Sequence, residues 1–142
     1  MAGVPSYKRI IVWFRRALRV DDHPALWHAM RDTSSVVPLL CISDDPSYND
    51  LTHRRRFMRG AIADLDRSLR HAGTMLHLRI GDPTKELPAA ARAYGADAVY
   101  AVDLSDPASV ARDARIVEAL ASIGVQFLRF PDRVLRGDSK GC

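Results

Sequence analysis

Two cysteines among 142 residues leave almost nothing for a disulfide framework, and one of them, Cys142, is the last residue. Cys41 lies inside an apolar run, where a small core residue is expected. Long hydrophobic runs are also missing. The longest, residues 36–42, is strand-sized, far below the ~20 residues of a membrane helix. Residues 1–8 lack the basic, apolar and small-residue pattern of a secretory signal, so a cytoplasmic location and no membrane partner are expected. Charge of one sign does not dominate. Lys and Arg number 21 against 17 Asp and Glu, a net charge of +4. That excess favours approach to polyanions only mildly, and direct DNA contact by this domain is expected to be weak. The five histidines show no pairing with cysteine at metal-ligand spacing. No Gly-x-Ser-x-Gly, Gly-x-Gly-x-x-Gly or Walker-type loop occurs, so neither a catalytic triad, a metal nor a phosphate loop is expected.

What is present is a regular alternation. Hydrophobic residues make up 47% and charged residues 27%, the balance of a folded globular domain. Residues 9–14, 36–42, 75–80, 97–102 and 125–130 are short apolar runs that predict strands. Between them lie helical patterns. The first covers residues 24–31, with Asp22 as a candidate N-cap, Pro24 in the first turn and Ala25, Leu26 and Ala29 inward. Thr52 opens the second, which runs to about residue 72. Phe57, Ala61, Leu65 and Leu69 form its stripe, Met58 and Ile62 widen it, and Gly73 stops it. Asp82 or Thr84 caps a third helix that runs to about residue 93. Pro107 opens a fourth that runs to about residue 122, with Val110, Ala114, Val117 and Leu120 as its inner face. Pro38 inside the second strand predicts an unpaired donor position or a bulge. Residues 43–51 read as a loop.

This order predicts an α/β fold: a three-layer, Rossmann-like, five-stranded parallel sheet with helices on both faces. One domain spans residues 1–135, and residues 136–142 form a polar linker or tail. A ligand site belongs at the carboxyl ends of the strands, where the strand order reverses.

Residues 12–26 read VWFRRALRVDDHPAL. The run resembles the opening motif of the DNA photolyase/cryptochrome family, usually written VWFRRDLRLxDNPAL. Arg54 to Met58 followed by Asp64, Leu65 and Leu69 is similar to that family's RxxFL…DLxxxL helix. Arg79 to Pro83 with Leu87 and Pro88 resembles its RxGDP…LP turn, and Ala98 to Tyr100 with Asp106, Pro107, Arg112 and Asp113 resembles AVYxNxDxEPxxxxRD. The resemblance implies an N-terminal antenna domain that holds a light-harvesting chromophore, whether folate, deazaflavin or flavin. Excitation then passes to FAD in a separate helical domain, which carries the light-dependent repair of pyrimidine dimers. An FAD-bearing helical domain or protein is therefore the implied partner, and this domain alone is not catalytic.

The candidate cofactor-binding residues are Phe14, Arg15, Arg16, Asp44, Arg54, Met58, Asp103 and Asp106. Arg15 and Arg16 close the first strand, as planar forked donors for a phosphate, carboxylate or carbonyl. The competing reading pairs them with Asp22, Asp44 or Asp45. Of the triple arginine run 54–56, Arg54 matches the family arginine, and the other two are expected to be solvated. Ala17, His23, Val102 and Leu104 stand where the family usually has polar residues or, at position 23, asparagine. Val102 and Leu104 motivate an alternative: a cofactor-free scaffold for a protein partner or DNA. A nucleotide-binding Rossmann-like domain is the third reading.

Overall fold

The computed structural model describes residues 7–15, 18–42 and 52–131, with side chains from residue 59 onward in the last segment. The expected loop at 43–51 and the tail at 136–142 lie outside the described residues. Among the described residues nine elements alternate in the order the apolar runs predict: β1 (Ile10–Phe14), α1 (Pro24–Asp32), β2 (Val36–Ile42), α2 (Thr52–His71), β3 (His77–Ile80), α3 (Pro83–Tyr94), β4 (Ala98–Val102), α4 (Pro107–Ala121) and β5 (Gln126–Phe130).

The five strands form one parallel sheet in the order β3-β2-β1-β4-β5. The chain winds outward from β1 to β3, then returns to the other side of β1 with β4. Every residue of β1 and β4 is buried, which is why both read as unbroken apolar runs. Alternate side chains serve opposite faces. Ile10, Val12 and Phe14 pack with Ala25, Leu26 and Ala29 of α1 and Leu65 and Leu69 of α2. Ile11 and Trp13 pack with Leu87, Ala90 and Ala91 of α3 and Ile116 and Leu120 of α4. The three layers follow from this division. At the amino end, the Asp97 carboxylate accepts the N–H groups of Lys8 and Arg9 at 3.1 Å each, tying the entries to β1 and β4 together.

Pro38 sits in β2 without a bulge. The register with β1 is continuous, Val12 opposite Pro38 and Trp13 opposite Leu39. The ladder to β3 starts only at Leu39, and the Pro38 carbonyl faces His77 Nδ1 at 3.2 Å. The missing N–H thus falls where no ladder partner exists.

Two local expectations need correction. The N-cap of α1 is His23, not Asp22. His23 Nδ1 accepts the Leu26 N–H at 3.1 Å, while Asp22 adopts a left-handed φ of 54° in the turn before it. The inner face of α4 is also rotated from the expected stripe. Ser109, Asp113, Ile116 and Leu120 are buried, whereas Val110, Ala114 and Val117 are exposed. The rotation carries Asp113 inward with Ile116 and Leu120, and there it pairs with Arg15 at the end of β1. Asp82 caps α3 through the Thr84 N–H at 3.0 Å, and Gly95 ends that helix at φ 71°, where a side chain would be strained.

Candidate functional site

The strand order reverses between β1 and β4, so the crevice of this sheet opens past Phe14 and Val102. Arg15 stands at that point. Its Nη1 and Nη2 donate to Asp113 Oδ1 and Oδ2 at 2.8 and 3.0 Å, a two-pronged pair. Its Nε and Nη2 also donate to the Val102 carbonyl at 3.0 and 2.7 Å. The Arg15 side chain is 5% exposed and that of Asp113 is 0% exposed. Arg129 of β5 approaches the same carboxylate at 3.5 Å. One buried carboxylate on α4 therefore gathers the ends of β1, β4 and β5. Of the two readings open for Arg15, the ion pair is what the geometry holds, with a partner other than the three acids first considered.

The remaining candidates divide by position. Phe14 is fully buried in the core between β1 and helices α1 and α2, its ring 4.7 Å from that of His23. Asp103 follows β4 with its side chain exposed, and its N–H donates to the Phe130 carbonyl at 2.8 Å. Asp106 caps α4, its Oδ2 accepting from the N–H and Oγ of Ser109 at 3.1 and 2.9 Å. Leu104 turns inward. The structure thus brings Phe14, Arg15, Asp103 and Asp106 to one end of the sheet. Arg16 and Asp44 fall outside the described residues. Arg54 and Met58 lie on the first half of α2, where side chains are not described.

Beside this crevice a concavity of about 150 Å³ is lined by Val20, Asp22, His23, Pro24, Trp27, His28 and Met30. It is smaller than the ~300–1,000 Å³ of ordinary small-molecule sites. Its rim is apolar and open: Trp27 is 57% and Met30 60% exposed, one turn apart on α1. The His28 ring stacks on Phe130 at 4.2 Å, linking this rim to the end of β5.

The electrostatics are those of a structural frame. Burial pushes the Cys41 thiol up to about 11, and the nearby Glu86 and Asp82 add to that, which leaves no thiolate for chemistry at neutral pH. Burial and the Asp32 carboxylate hold the Tyr100 phenol well above its ordinary range; the two groups are joined by a 2.5 Å hydrogen bond. Asp113 is the buried ion-pair partner that apolar periodicity missed. Its signal lay in the Arg-Asp pair at 112–113 and in the 106-109-113-116-120 spacing, which places polar residues on an otherwise apolar helix face.

Comparison with known proteins bears on the fold and the family. The DNA photolyase family model matches residues 10–137. A cryptochrome DASH from Natronomonas pharaonis is 37% identical over 123 residues, covering 81% of this chain and 26% of the relative. Among solved structures, a class III photolyase from Agrobacterium tumefaciens superposes with a TM-score of 0.78 at 27% identity, over 92% of this chain and 27% of that protein. The photolyase from Sulfolobus tokodaii, solved with two FAD molecules, superposes at 0.72 with 25% identity, over 87% of this chain and 29% of that one. The chain therefore spans little more than a quarter of these relatives. Among the described residues no helix is long and apolar enough to cross a membrane. With strand order, opening motif and family match in agreement, the chain belongs to the DNA photolyase/cryptochrome family, as its N-terminal α/β domain.

Proposed function

We propose that this domain is a light-gathering accessory to an FAD-bearing helical domain, holding an antenna chromophore in the crevice between β1 and β4. The observation that carries the reading is the exposed Asp103 carboxylate at the reversal of strand order, beside the buried Phe14. Folates, deazaflavins and flavins all present ring N–H groups, and a carboxylate accepts from such groups. Arg15 and the Asp106 Oδ2 are engaged within the protein, so they shape the crevice rather than hold the ring. Arg16, Asp44, Arg54 and Met58 complete the proposed set. A bound chromophore would supply the absorption and pass excitation onward; the protein positions it and excludes water.

The test is an absorption spectrum between about 350 and 500 nm of protein purified and then incubated with each chromophore class. Retained colour with saturable uptake is expected. Asp103→Ala should weaken uptake roughly ten- to hundredfold, the loss of one charge-assisted hydrogen bond of about 1.5–3 kcal/mol. A colourless protein that takes up none of the three compounds rejects the reading.

A second reading has its own support. The paired exposure of Trp27 and Met30 beside an apolar concavity suits contact with a protein surface. An apolar rim of this kind does not suit DNA, whose backbone demands dense positive charge. A colourless protein that still binds an FAD-bearing helical domain would favour this docking role.

A further inference from the structure

Trp13 is 2% exposed, and its indole Nε1 is buried without a hydrogen-bond partner. Buried indole N–H groups ordinarily find an acceptor. A second buried donor without a partner, Arg112 Nε, belongs to a guanidinium that lies over the Trp13 ring, 5.8 Å from its centre. Both belong to the α3/α4 side of the sheet, Trp13 on β1 and Arg112 on α4.

Among the described residues, the acids that could have served are engaged. Asp113, next along α4, is shared by Arg15 and Arg129. Glu86 pairs with Arg79 at 2.8 Å, and Asp82 caps α3. The Arg15 guanidinium lies 4.7 Å from the same indole ring. Among the described residues positive charge therefore exceeds negative charge around Trp13, and the two donors without partners call for an acceptor that is itself negative. A neutral acceptor would leave that excess uncompensated.

We propose that the Trp13 indole N–H and the Arg112 guanidinium form a binding site for a small oxyanion, the phosphate or carboxylate group of a ligand. Arg112 is only partly buried, which gives the site an approach from solvent. The indole fixes direction with a single rigid donor, and the guanidinium supplies charge and further N–H groups. The site involves neither Asp103 nor the chromophore, so failure of chromophore uptake leaves it standing.

The test follows the indole N–H resonances by ¹H–¹⁵N correlation, with Trp27→Phe assigning the two signals. Inorganic phosphate, acetate and chloride are titrated at matched ionic strength. The Trp13 signal is expected to move saturably with phosphate or acetate and not with chloride, and whichever ion acts names the group. Arg112→Gln should weaken that response at least tenfold, whereas Arg115→Gln, an exposed arginine on the same helix, should not change it. If Arg112→Gln disturbs the fold by circular dichroism, Arg112→Lys replaces it, with weaker but retained binding expected. No movement with either oxyanion, equal movement with chloride, or unchanged binding without Arg112 would overturn the proposal; a buried water gives the first of these results.

Discussion

Asp113 has lost all contact with water and stays useful only because two guanidinium groups meet it. Removing one partner from such a pair strands the other as a buried charge, whereas replacing both with apolar groups is far less costly. Asp113→Ala is therefore expected to lower the unfolding free energy by about 3–5 kcal/mol, read from urea unfolding. The double variant Arg15→Met, Asp113→Leu should recover most of that loss. A single variant as stable as the parent would show that the pair carries no net stability. The position of Arg15 at the strand end was legible in the sequence, because a strand followed by two arginines has few other readings. Its partner was not, since a contact between residues 15 and 113 depends on how α4 is rotated. That rotation is set by packing and ion pairing together, and apolar spacing reports only the first.

Helix α1 shows how an element tolerates a change at its start. The family usually has asparagine at position 23, and asparagine is a strong N-cap. His23 takes the same role with Nδ1 in place of an amide oxygen, accepting from Leu26 N–H. An imidazolium has two donors and no acceptor, so the cap requires the neutral ring. His23→Asn is expected to leave thermal stability nearly unchanged. His23→Ala should cost about 1 kcal/mol, within the usual range for a lost cap. Equal losses in both variants would place the contribution of His23 in its ring packing against Phe14 instead. The helix was evident from Pro24 and the Ala-Leu pattern. Its capping residue was not, because Asp22 is the commoner N-cap type and only backbone geometry reveals that it takes a left-handed turn.

Across the whole molecule, the strand number, parallel sense and two-sided cover follow from the alternation of short apolar runs with amphipathic stretches. The strand order needed the structure, although β3 and β5, the half-exposed edges, carry His77, Arg79, Gln126 and Arg129 where β1 is wholly apolar. Acid stability belongs to this scale too. Asp66 sits below its ordinary 3.8, held first by the Arg70 side chain and then by the Leu76 N–H, which fastens α2 to the entry of β3. For Asp32, burial pushes upward, but hydrogen bonds from Tyr100 and Arg31 outweigh it and the net direction is down. Groups depressed in the folded state bind protons more tightly when unfolded. Their contribution is complete above the unfolded value and is lost as pH falls through the folded one. Stability against urea is expected to be flat in these two groups above about pH 4 and to decline below it. Tyr100→Phe should flatten the decline. A loss of stability that begins near neutrality would assign acid sensitivity to other groups.

The place of β1 in the middle of the sheet has a consequence for how the molecule comes into being. Ile10 meets Val36 on one side and Ala98 on the other. A growing chain can pair β1, β2 and β3 from nearby segments, yet until β4 has been synthesised β1 remains an open edge. Ile11 and Trp13 then also lack the cover that α4 later provides. Long-range pairing of this kind is slow, and an unpaired apolar edge is where chains adhere to one another. The crevice between β1 and β4 does not exist before that pairing, so occupancy of the crevice reports a chain in which the two strands have already met.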